Sequence, residues 1–176
     1  MSLSKILFWK AALFASFVGI ASLAPILKQQ LITGSIVNAL LLISLVLLGR
    51  EAAILIGFLP SLISLSLGFL PLVFAPFLPF IIVGNIILVL VFGFLRKKNY
   101  WLAMVSAGFL KFVFLAVSSS IAIDLFIKSP IAKQLTFMMS WPQLFTAICG
   151  GILAYLLLAV FYSPAAKRTC PEGDTF

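Results

Sequence analysis

PFLPFIIVGNIILVLVFGFL at residues 76–95 and WLAMVSAGFLKFVFLAVSSSIAI at 101–123 are two apolar runs joined by Arg96-Lys97-Lys98-Asn99-Tyr100. Each is about as long as the roughly 20 residues a helix needs to cross the hydrocarbon core of a bilayer. Neither shows the one-sided polarity of a soluble surface helix. The basic turn between them is the kind that stays on one side of a membrane. Two polar residues sit deep in this pair, Asn85 in the first run and Lys111 in the second.

Four further runs of the same character flank the pair, at 6–24, 33–49, 52–70 and 141–162. They predict an all-α integral membrane protein with six transmembrane helices over residues 1–163. A polar tail at 164–176 is expected to be cytoplasmic and disordered. Composition agrees. Hydrophobic residues make up 64% of the 176-residue chain and charged residues 9%, against about 45–50% and about 25% in soluble domains. Soluble enzyme classes are excluded. The chain has no histidine and two separated cysteines, Cys149 and Cys170. No metal site, iron–sulfur cluster or other cofactor is expected. None of the four acidic residues falls inside an apolar run, so no catalytic acid or base is expected, and the chain is read as a non-enzyme.

The breaks between runs have local causes. Pro25, with Lys28, Gln29 and Gln30, ends the first. Arg50-Glu51 makes a tight second turn, Pro71 and Pro76 punctuate the third, and residues 128–140, with Pro130, form the longest loop. Pro142 falls in the first turn of the last helix, where proline is tolerated. Lys5 and Lys10 before an apolar run, followed by Ser22-Leu23-Ala24, resemble a secretory signal. Pro25 directly after such a cut, and five more runs behind it, favour a retained helix.

The net charge of +8 reads as membrane topology rather than nucleic-acid binding. With the N-terminus inside, Lys5, Lys10, Arg50, Arg96, Lys97, Lys98, Lys167 and Arg168 are inside, against Lys28, Lys128 and Lys133 outside. This is a positive-inside bias and places both termini in the cytoplasm of a multi-pass plasma-membrane protein.

On that orientation the polar side chains are uneven. The outer halves of the helices hold Asn38, Asn85, Lys111 and Gln143 with a series of hydroxyls from Ser16 to Thr146. The inner halves hold Ser44, Ser106 and Tyr155. Polar groups within a bilayer face the bundle interior or a water-filled cavity. The pattern predicts a cavity open to the outside above a dry cytoplasmic half. Lys111 lies about 15 Å from the inner end of its helix at 1.5 Å per residue, too far to snorkel. Its cost is at least about 2.5–3.5 kcal/mol, and no carboxylate shares its depth. It therefore points to a cation that meets an anionic ligand. The alternative is a structural lysine bonded to helix carbonyls, Asn85 or Ser118. Asn38 and Asn85 are either ligand-orienting amides or interhelical glue. Trp141 and Gln143 are expected either to roof the pocket or, for Trp141, to anchor at the interface. The predicted substrate-binding set is Asn38, Asn85, Lys111, Ser118, Trp141 and Gln143.

On the first helix Ala11, Ala15 and Gly19 recur every four residues, which lets another helix backbone approach closely. That helix belongs either to a partner or to this bundle. In the last helix, Ala147 with Gly151 and Gly150 with Ala154 read as internal packing.

Six helices, both ends inside, a small-residue first helix and an outward pocket resemble the substrate-binding S component of an energy-coupling factor (ECF) transporter. Residues 25–38, 70–85 and 138–151 are more specifically similar to a family of S components often labelled iron hydrogenase, a label that two separated cysteines do not support. The resemblance implies capture of a vitamin-like or precursor solute from outside. It implies docking on an ECF T component that carries two ATPase subunits, through Ala11 and Ala15. Nickel and cobalt S components use an N-terminal histidine, so those substrates are not expected. The runner-up is a structural or assembly subunit of a larger membrane complex.

Overall fold

The computed structural model describes residues 3–126 and 139–161. The described part is all-helical, with six α-helices: α1 (Leu3–Leu23), α2 (Gln30–Leu47), α3 (Arg50–Ser66), α4 (Leu78–Leu95), α5 (Tyr100–Phe126) and α6 (Trp141–Phe161). Short 3-10 turns at Ala24–Leu27 and Leu72–Phe77 lead into α2 and α4. Five of the helices are long and apolar enough to cross a membrane. The 128–140 loop, apart from Met139 and Ser140, and the 164–176 tail lie outside the described residues.

The third segment differs most from its expected 52–70. α3 ends at Ser66 because Gly68 turns the backbone left-handed, with φ 74°. The Phe69 N–H then bonds to the Ser64 carbonyl at 2.9 Å and the Gly68 N–H to the Leu65 carbonyl at 3.1 Å. This double bond pattern closes a helix at a glycine that bears no Cβ penalty in the left-handed region. Seventeen residues span only about 25 Å at 1.5 Å per residue. The apolar chain that follows therefore folds back over the end of the bundle instead of extending α3.

α2 is the central strut. Residues 38–45 are all buried, so the helix is covered on every side. It packs most extensively on α6, while α4 pairs with α5. Gly150 makes the α2–α6 approach possible. A Cβ there would lie 2.7 Å from the Asn38 Cβ and 2.8 Å from the Ser35 carbonyl oxygen. Ala147 and Ala154 are also buried, so the small residues of α6 serve internal packing as expected. Burying apolar side chains gives little advantage over lipid tails. Close backbone approach and interhelical hydrogen bonds therefore carry more of this packing. Ser64 donates to the Ser22 carbonyl at 2.7 Å, Thr33 to the Ala24 carbonyl at 3.0 Å, and Tyr100 to the Gly151 carbonyl at 2.7 Å.

α1 is peripheral. Only Ala21 and Ser22 are buried along it. Ala11 and Ala15 are exposed, and a Cβ at Gly19 would meet nothing. Among the described residues, none covers this small-residue face.

Candidate functional site

Alternating helix directions bring the end of α1, the start of α2, the end of α3 and the starts of α4 and α6 to one end of the bundle. A cavity of about 540 Å³ lies there, within the roughly 300–1,000 Å³ of small-molecule sites. Its rim includes the exposed Lys28, Gln29, Gly68 and Pro71, and its floor is Asn38, Asn85 and Lys111, all buried. Pro25, Val37, Ile56, Pro60, Phe69, Leu70, Phe74, Ile81 and Met139 supply much of the wall.

Lys111 is brought in by α5, whose start is capped by Asn99. The Asn99 Oδ1 accepts from the N–H of Trp101 at 2.9 Å and of Leu102 at 3.1 Å, satisfying two of the orphan donors of the first turn. Lys111 retains 4% of its exposure. Its ammonium donates to the Asn38 Oδ1 at 2.6 Å and to the Asn85 Oδ1 at 2.8 Å. Both amides are oriented from behind. The Asn38 Nδ2 donates to the Thr146 Oγ1 at 3.3 Å, and the Thr146 hydroxyl donates to the Gln143 carbonyl at 3.0 Å. The Asn85 Nδ2 donates to the Gly57 carbonyl at 3.1 Å. With each NH₂ held by another helix, each carbonyl must face Lys111. The network joins α2, α3, α4, α5 and α6.

Chemically, the Lys111 amine is held by two amide dipoles, with no acidic partner among the described side chains. An ammonium has three donors, and the two amides take two. Neutral amide oxygens lower the cost of the charge without cancelling it. Glu51, the only acidic residue whose side chain is described, is exposed in the first turn of α3 at the opposite end of that helix. Among the described side chains no carboxylate lies against Lys111.

Asn38, Asn85, Lys111 and Gln143 all line this one cavity. Ser118 and Trp141 do not. Ser118 shares the α5 stripe of Lys111 but stands about 10 Å farther along the axis. Phe77, Leu115 and Met139 form a small apolar core at the intervening height. Trp141 precedes Gln143 by two residues, or about 200° around the helix at 3.6 residues per turn. It is exposed, with its ring centroid 5.3 Å from that of Phe112. Pro25, Pro60 and Pro71 line the cavity, while the exposed Pro76 and Pro79 do not.

Two contributors escaped the sequence reading. The Gly57 carbonyl is main chain and carries no sequence signal. Thr146 was one of many hydroxyls, and its spacing three residues after Gln143 fits a helix-bound hydroxyl without naming Asn38 as its partner.

A more open recess of about 620 Å³ lies at the other end, bordered by Phe92, Arg96, Lys97, Tyr100 and Tyr155 among others. None of its ionisable side chains is buried. The caged charge, not volume, singles out the Lys111 cavity.

The described residues form an all-helical bundle of membrane-type helices with a polar-floored cavity at one end. Searches against protein families, curated proteins and solved structures give no match.

Proposed function

We propose that this chain is the substrate-binding membrane subunit, the S component, of an ECF-type importer that captures a small anionic, vitamin-like solute from outside the cell. The observation that carries the reading is the Lys111 ammonium, held between two oriented amides at the floor of a cavity that opens at one end of the bundle. The basic residues collect at the helix ends opposite the cavity: Lys5, Lys10, Arg50, Arg96, Lys97 and Lys98. By the positive-inside rule the cavity then faces outward and the N-terminus lies in the cytoplasm; with the shorter α3 counted as a sixth span, the C-terminus returns to the same side. The exposed Ala11–Ala15 face of α1 is the proposed contact with the T component, which carries two ATPase subunits. Hydrolysis is left to those partners, and the chain itself is no enzyme.

The test is extraction of co-purified solutes. The full chain, purified alongside Lys111→Met, is denatured and its small molecules are compared by mass spectrometry. An acidic solute enriched in the wild type and absent from the variant supports solute capture. Identical profiles refute it and favour the structural or assembly subunit, for which a network joining five helices would be sufficient reason to keep the lysine.

A further inference from the structure

The cavity's surfaces narrow the chemistry of its occupant. We infer that it takes an amphipathic organic monoacid, inserted acid first, with its carboxylate on Lys111 and its apolar body against the wall above; this rests on the solute-capture reading. Among the described residues, Lys111 is the one charged side chain lining the buried part, since Lys28 sits at the exposed rim. It has one donor left after Asn38 and Asn85. Ile56, Pro60, Phe69, Phe74, Ile81 and Met139 line the space between rim and floor. Two of the wall hydroxyls, Ser64 and Thr33, have their protons committed to main-chain carbonyls.

A bare inorganic anion would exchange its hydration shell for one ammonium and a mostly apolar wall, whose polar members Gln30, Thr33, Ser61, Ser64 and Gln143 are neutral, which is unfavourable. A nucleotide would bring several charges to a floor with one cation. A neutral solute would leave the lysine's charge unanswered. A single carboxylate on an apolar body meets all three conditions: one charge at depth, little demand for further donors, and apolar surface to bury.

The experiment uses the full chain in lipid nanodiscs, with empty nanodiscs correcting for partitioning. Probes are phenylbutyrate, phenylvalerate, their neutral amides and inorganic phosphate, and the readout is calorimetric affinity. Asn38→Asp is the key variant. It sets a carboxylate 2.6 Å from the Lys111 Nζ at nearly unchanged volume and gives up only the 3.3 Å bond to Thr146. The wild type is expected to bind at least one acid tighter than its amide by about tenfold or more, the scale of one buried charge contact, and to ignore phosphate. Asn38→Asp is expected to lose the preference for acid while keeping the wild-type melting temperature or raising it. Equal affinity for acid and amide, or phosphate binding as tightly as the acids, overturns the inference and leaves solute capture standing. Retention of the acid preference in folded Asn38→Asp overturns it too. Silence toward every probe also overturns it, and solute capture is then decided separately by the extraction comparison.

Discussion

Lys111→Met separates a binding lysine from a structural one, because the two roles predict opposite pairs of readouts. Methionine keeps the length of the side chain and removes its charge and donors. In the unliganded protein the change orphans the Asn38 and Asn85 carbonyls, now bonded at 2.6 and 2.8 Å. Each orphaned buried acceptor costs about 1–3 kcal/mol. Against this, losing a charge at mid-depth returns about 2.5–3.5 kcal/mol on insertion scales. The two nearly offset, so unliganded stability is expected to stay within about 3 kcal/mol of the wild type. Ligand binding has no such offset. Truncating one partner of a buried, hydrogen-bonded charge pair costs about 2–5 kcal/mol, or about thirtyfold to several thousandfold in affinity. The assay measures melting temperature and solute affinity of both forms in the same bilayer mimic, with the solute recovered from the extraction experiment. Unchanged affinity with a markedly lower melting temperature would refute the reasoning: Lys111 would then be a strut across five helices, and the anionic substrate would go with it.

Replacing Ala11 and Ala15 together by leucine should abolish uptake by the assembled importer. Solute affinity and melting temperature of the isolated chain should not change, since both positions are exposed; a folding defect would show that the face is internal. Gly150→Ala should destabilise the α2–α6 contact by about 1–3 kcal/mol, the usual cost of overpacking, because its Cβ lands 2.7 Å from that of Asn38. A melting temperature equal to the wild type would mean the helices separate freely. Thr146→Val keeps shape and removes the hydroxyl that accepts from Asn38, so affinity should fall by about tenfold through loss of amide orientation, roughly the worth of one hydrogen bond. If affinity holds, Thr146 is not what orients Asn38. Gly68→Ala should cost about 1–2 kcal/mol for a left-handed residue with a Cβ, read as a lower melting temperature; no change would mean the α3 ending relaxes.

Features that depend on distance along the chain are legible from residue order. Apolar run length announced helices of spanning size, with ends legible from Pro25, Arg50-Glu51 and the 96–99 cluster. A helix rises at a constant rate, so position in sequence is depth, and Asn85 and Lys111 could be placed at one level before any contact was known. Features that depend on rotation and on long-range meeting appear only once the helices are packed. Asn38 and Thr146 are 108 residues apart, and no local pattern says that their helices touch. Trp141 and Gln143 are two residues apart, yet only the packing of α6 shows that one faces the cavity and the other does not. Ser118 shares the α5 stripe of Lys111 but stands about 10 Å farther along it, beyond Leu115, which joins Phe77 and Met139 in an apolar core that three distant segments build together. The sequence shows a basic residue midway along an apolar helix of spanning length. Which way the two asparagine amides turn, and hence that the Lys111 amine is held by two amide dipoles, follows only from the acceptors that α3 and α6 place behind them.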